Sequence, residues 1–264
     1  MKNDPALTPR VAKIAEGLFV RLAVDNIAWI DLGDGLLVVD ALEQPELEGE
    51  VFAAIARTAG GGSGEKGVRF VLNTHGHYDH VALNEAFRRR WGAEVVCQPA
   101  AKLPKEGRWF AGPRRKVLMQ PMGGCHTEED CIVWSPQDRV LFAGDIFGWG
   151  LVPSTGLDDR TACLLVETYR KLIALGPSVV IPGHGPLCGS AELARWVEYF
   201  RGLIEKALRA SAAGSSDAQV RNLLAPPEDM KSWWRFLDWK HEDSVTRVMS
   251  AVRSGRLSER SIRE

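Results

Sequence analysis

The chain has 264 residues, 45% of them hydrophobic and 25% charged, a composition that excludes disordered and collagen-like structure and suits a folded globular protein. Lys and Arg number 33 against 34 Asp and Glu, so the net charge of -1 creates no global field toward nucleic acid or an anionic membrane. The length fits one large α/β domain, taken as residues 1–264 with a helical extension from about residue 190.

No secretory or transit signal is legible in residues 1–16, which carry Lys2, Asp4, Arg10, Lys13 and Glu16 without an apolar segment. No stretch reaches the roughly 18 apolar residues of a spanning helix. The five cysteines, Cys97, Cys125, Cys131, Cys163 and Cys188, are odd in number and irregularly spaced. That usage suits a reduced, cytoplasmic chain better than a disulfide framework.

Three β-type runs come first, at 18–22, 28–32 and 36–40, with Gly33-Asp34-Gly35 as a hairpin turn between the last two. Leu47, Val51, Phe52 and Ile55 then recur at helical spacing and predict a helix over 45–57. The glycine-rich stretch 59–67 reads as a surface loop. A strand at 68–72 leads through a histidine-rich turn into a helix at 80–91, and a segment rich in Pro, Gly and basic residues follows at 98–116. Further strands are expected at 117–119, 131–134, 139–142 and 178–181, with a helix at 158–175. Beyond 190 the pattern is helical, interrupted by Gly214-Ser215-Ser216 and Pro226-Pro227.

The chemistry concentrates directly after the strand at 68–72. His75-Gly76-His77-Tyr78-Asp79-His80 packs three of the six histidines and one carboxylate into six positions, a density of metal ligands. Imidazole and carboxylate donors without a cysteine pair at finger spacing point to a catalytic site for a borderline cation such as zinc. One turn cannot fill the shells of two ions. Three further candidates lie among glycines at turns or strand ends: His126, Asp145 in Ala143-Gly144-Asp145, and His184 in Pro182-Gly183-His184-Gly185.

With these residues in this order, the chain resembles the metallo-β-lactamase fold superfamily of metal-dependent hydrolases from about residue 18 to about residue 190. The resemblance implies a four-layer αβ/βα sandwich with two divalent ions at one edge, zinc first, with iron or manganese as alternatives. It implies that His75, His77 and His126 hold one ion, that Asp79, His80 and His184 hold the other, and that Asp145 bridges them. Asp40, at the end of its strand, matches the family's early aspartate and would support the site from behind, as would Thr74. Two ions sharing a water lower its pKa toward neutrality, and the bridging hydroxide attacks a bond polarised by the same ions. Asp79 is the residue placed to orient it. The aspartate at 145 points to the glyoxalase-II-like or lactonase-like branch, although Val81-Ala82 stands where glyoxalase II has a glycine pair. A thioester or lactone of a small molecule is the expected substrate. The alternatives are a phosphodiesterase or nuclease of the same fold, or a metal-binding member without enzymatic activity.

Other features carry less. Phe147 and Trp149 follow Asp145 on a glycine-flanked loop and are the candidates for a substrate pocket wall. The basic segment 98–116 serves equally well as a pocket wall or a solvated loop. Trp233, Trp234, Phe236 and Trp239 suit a core or a subunit contact in a homo-oligomer. His241, between Lys240 and Glu242, is expected to be an exposed helix residue, and Cys125 and Cys188 small buried apolar ones.

Overall fold

A computed structural model of the chain describes residues 8–59, 66–153 and 156–262. Its packing separates two compact units. One comprises the chain up to Gly123, with Glu129–Asp145 and Ser178–Cys188, and the other comprises Gly124–Glu128, Ile146–Pro177 and the chain from Gly189 onward.

The first unit holds two sheets. β1 (Arg10–Ala15), β2 (Leu18–Leu22), β3 (Ile27–Asp31), β4 (Leu36–Val39), β5 (Val68–Leu72) and β6 (Glu94–Val96) lie in that order. The first three pairings are antiparallel and the last two parallel. The second sheet runs β11 (Val179–Pro182), β10 (Val140–Gly144), β9 (Cys131–Ser135), β8 (Lys116–Pro121), β7 (Arg108–Ala111), parallel only between β10 and β11.

The period-two alternation of each strand decides which face each residue serves. Ala28, Ile30, Leu37 and Val39 of the first sheet pack with Val117, Met119, Val133, Val140 and Phe142 of the second, which makes the core between the sheets. Ile27, Trp29, Leu36 and Val38 point the other way. They bury against Val51, Ala54 and Ile55 of α1 (Glu48–Ala59) and Ala86 and Phe87 of α3 (Asn84–Trp91). A helix layer, a sheet and a second sheet are thus stacked within this unit, and all three owe their order to apolar residues at strand and helix periods.

Most of the expected elements are present. The helix expected at 80–91 is two pieces, α2 (Tyr78–Val81) and α3, because the backbone N–H groups of Ala82 and Leu83 turn aside to Leu42 and Ala41 carbonyls. Three strands escaped the sequence reading. β1 is an edge strand with no fully buried residue, β6 has three residues, and β7, inside the basic segment, buries only Phe110 of its four. The glycine-rich stretch lies largely outside the described residues, at 60–65.

The second unit is helical. α4 (Asp159–Ala174) starts at Asp158, whose carboxylate accepts from the Thr161 N–H. α5 (Ser190–Ala212) packs on α4 and on α7 (His241–Arg253), and α6 (Asp217–Leu223) lies between them in the chain. His241 is 9% exposed, not the exposed residue expected. Its Nε2 donates to the Leu224 carbonyl at 2.8 Å and its Nδ1 accepts from the Tyr199 hydroxyl at 2.9 Å, so both polar atoms are satisfied in the interior. Among the described residues no helix is long and apolar enough to cross a membrane.

Candidate metal centre

Strand ends assemble the site. β4 and β5 are parallel neighbours, as are β10 and β11, so within each pair the carboxyl ends reach the same sheet edge. Asp40 follows β4, Asn73-Thr74-His75 follows β5, Asp145 follows β10 and Gly183-His184 follows β11. This is the edge at which open α/β sheets place their ligands.

Asp40 takes a left-handed backbone conformation with φ of 60°, which Asp tolerates better than most residues. Its Oδ1 accepts the Thr74 N–H at 2.8 Å, and the Thr74 hydroxyl donates to the same carboxylate at 3.0 Å. His75 Nδ1 lies 3.3 Å from the Thr74 hydroxyl oxygen. Asp40 Oδ2 is also 3.0 Å from His80 Nδ1, within hydrogen-bond reach but without the alignment of a good bond. Asn73 holds the turn from the other side, donating from its amide to the His80 carbonyl at 2.7 Å. Asp40 and Thr74, expected to support the site from behind, are thus hydrogen-bonded to each other, with Thr74 beside His75.

Asp79, His80, Asp145 and His184 each offer a ligand atom, and all four atoms lie within 4.8 Å of one another. His184 Nε2 is 3.1 Å from Asp79 Oδ2 and 3.2 Å from Asp145 Oδ2, while His80 Nε2 is 3.4 Å from Asp145 Oδ1. The rings of His75 and His77 stand 4.6 Å apart, and those of His75 and His80 4.2 Å. His126 belongs to the second unit, on the connection between β8 and β9. Gly183 has no room for a side chain: a Cβ there would stand 2.2 Å from Asp145 Oδ1 and 2.7 Å from His80 Cε1.

The charges show what the cluster wants. Burial opposes a charged imidazole at His80, yet the nearby carboxylates of Asp40 and Asp145 outweigh it and lift the pKa to about 10. At His184 burial is likewise outweighed, by Asp145, Asp25 and Asp79, and the pKa rises to about 12. The hydrogen bond from His184 is the largest influence on Asp79, bringing it down to about 2. Asp145, although burial opposes its charge, is held well below the usual carboxylate range by His184 and His80. Two partly buried carboxylates face imidazole nitrogens here, and a borderline divalent cation fits this donor set.

Two residues absent from the sequence reading complete the surroundings. Asp25 Oδ1 is 3.0 Å from His184 Nδ1. The Asn26 side-chain amide donates to the carbonyls of Pro182 and Gly185 at 2.9 and 2.8 Å, on either side of Gly183-His184. Their only signal in the sequence is a polar pair between two apolar strand runs. Phe147 and Trp149, expected at a pocket wall, are buried at 1% and 7% exposure in an aromatic cluster with Tyr169 and Trp233. Cys125 is buried and Cys188 partly buried.

The family model of the metallo-beta-lactamase superfamily matches residues 23–118 and 99–184, more than half of the chain. The chain belongs to this superfamily, and the four-layer αβ/βα sandwich expected from the sequence is its fold. Among individual relatives, a hydroxyacylglutathione hydrolase of Brucella anthropi is 31% identical over 127 residues, 44% of this chain and 46% of the relative. One of Brucella ovis is 30% identical over 125 residues, 44% of this chain and 47% of the relative. The chain thus matches about half the length of these curated relatives. Of solved structures, a metallo-beta-lactamase from Pontibacter korlensis superposes with a TM-score of 0.61 at 20% identity, covering 72% of this chain and 98% of that one. A stereoselective inverting sec-alkylsulfatase from Pseudomonas sp. gives 0.67 at 14%, covering 92% of this chain and 50% of its own. These likenesses establish the fold.

Proposed function

We propose that the protein is a metal-dependent hydrolase that cleaves an ester-like bond, a thioester or lactone, of a small molecule in the cytoplasm. The observation that carries this reading is the grouping of His80 Nε2, His184 Nε2 and the Asp79 and Asp145 carboxylates within 4.8 Å of one another. The names of the two hydroxyacylglutathione hydrolases support the thioester side of the reading. Asp79, His80 and His184 would hold one divalent ion, His75, His77 and His126 a second, and Asp145 would be shared, with zinc the first candidate. When bound, the ions supply Lewis acidity, lowering the pKa of water and polarising the carbonyl to be cleaved.

The chain's own residues have separate tasks. Asp79, whose carboxyl is held low by the hydrogen bond from His184, can accept a hydrogen bond from the attacking water. Asp40 and Thr74 fix the turn that carries His75, and Asn73 fixes the backbone of His80. Gly183 lets His80 and Asp145 approach by presenting no side chain.

A panel of thioesters, lactones, phosphodiesters and β-lactams, assayed with the zinc-loaded protein before and after a chelator, tests the proposal. Turnover of thioesters or lactones that the chelator abolishes is the expected result. A preference for phosphodiesters would move the protein to the phosphodiesterase reading, and metal binding without turnover on any class would make it a non-enzymatic member.

A further inference from the structure

We infer that Asp25 is a positioning residue for the ion that His184 would hold, fixing which nitrogen of that imidazole is the ligand and strengthening it as a donor. The inference rests on the dinuclear reading above. A neutral imidazole has one N–H and one lone pair, and its surroundings decide which nitrogen carries which. Around His184 Nδ1 stand two acceptors, the Asp25 carboxylate at 3.0 Å and the Val24 carbonyl at 3.2 Å. A lone pair there would face two oxygens and be repelled, so the hydrogen belongs on Nδ1. With an ion held among them, Nε2 would then turn its lone pair to that ion in place of donating to Asp79 and Asp145, whose oxygens stand 3.1 and 3.2 Å away.

The backbone makes this arrangement stiff. Asp25 and His184 form an isolated antiparallel bridge, the Asn26 N–H donates to the Gly183 carbonyl at 2.9 Å, and the Gly185 N–H donates to the Val24 carbonyl at 3.0 Å. Asn26 therefore clamps the loop, whereas Asp25 acts on the ring. Its carboxylate is 14% exposed, so its charge is little screened at 3.0 Å from the ring. A carboxylate behind a ligating imidazole raises the basicity of the other nitrogen, and removal of such a partner weakens metal affinity by about 10- to 100-fold.

Asp25→Asn keeps an acceptor oxygen but removes the charge, and Asp25→Ala removes both. Zinc affinity of the wild type and both variants is measured by competition with a chromophoric chelator. The Nδ1–H proton of His184 in each zinc-loaded protein is followed by NMR, and the metal-free forms are checked by thermal unfolding. The wild type should bind two ions. Asp25→Asn should weaken one of them by about tenfold and Asp25→Ala by more, with the other ion and the metal-free unfolding midpoint little changed. The Nδ1–H resonance should move upfield in Asp25→Asn as the charged acceptor is lost. Two ions bound with wild-type affinity in both variants, equal weakening of both ions, or an unmoved resonance would each overturn the role given to Asp25. A wild-type protein that takes up no zinc would overturn the dinuclear reading itself, a separate result.

Discussion

The close approach at Gly183 shows how much the site depends on single atoms. Gly183→Ala would set a methyl group 2.2 Å from Asp145 Oδ1, so either the carboxylate or the loop must move. The expected outcome is a loss of about 1–3 kcal/mol in stability, typical of overpacking, together with weakened metal uptake. Denaturant titration and metal analysis of the same preparation check both, and unchanged metal binding would show that the ligands have room the geometry denies. The ligand candidates were legible because His75, His77, Asp79 and His80 crowd one turn and because glycines flank Asp145 and His184. Asp25 and Asn26 were not, since their role exists only through a bridge to residues about 160 positions away. Phe147 and Trp149 were legible as large aromatics, but a sequence does not tell an aromatic that lines a cavity from one that fills a core.

Elements are joined by buried polar groups whose removal has predictable cost. Arg115 is 7% exposed and donates to the Asp31 and Glu16 carbonyls and to Asp138, tying the β1–β2 turn and the end of β3 to the β9–β10 turn. Arg115→Met would leave Asp138 buried without its cation, at a cost of about 3 kcal/mol measurable by denaturant titration. A loss below about 0.5 kcal/mol would show instead that the ion pair is solvated. In the helical unit, burial is the main cause that lowers the pKa of His241. A folded-state pKa below the ordinary 6.5 means that the unfolded chain takes up the proton more readily. The stability from neutral His241 is therefore complete above the unfolded pKa and is lost as the pH falls below it toward the folded value. His241→Gln should flatten the stability difference between pH 7.5 and 5.5 relative to the wild type, and an identical slope in both proteins would contradict the assignment. The burial of His241 escaped the sequence reading because Lys240 and Glu242 beside it suggest solvent, whereas its partners, Tyr199 and Leu224, lie on other segments of the chain. The edge strand β1, short β6 and mostly exposed β7 were missed for a related reason: strand signals come from buried alternation, which these three lack.

For the molecule as a whole, fold and metal chemistry belong together, because parallel strand pairs bring the carboxyl ends bearing Asp40, His75, Asp145 and His184 to sheet edges, while the paired sheets bury the apolar faces that hold those ends in place. The near-neutral charge of -1 gives no long-range attraction to polyanions, so affinity is expected to come from the site itself. Nucleic acid should accordingly bind weakly and with little salt dependence, which a binding titration at two ionic strengths would check. The proposal for the whole chain is two divalent ions at its strand ends. It is tested most directly by elemental analysis of the protein after purification and after reconstitution with zinc, with His77→Ala and Asp145→Ala prepared alongside. About two ions per chain are expected in the wild type, fewer in His77→Ala and the largest loss in Asp145→Ala. A wild-type chain that carries no metal and takes up none on reconstitution would contradict it.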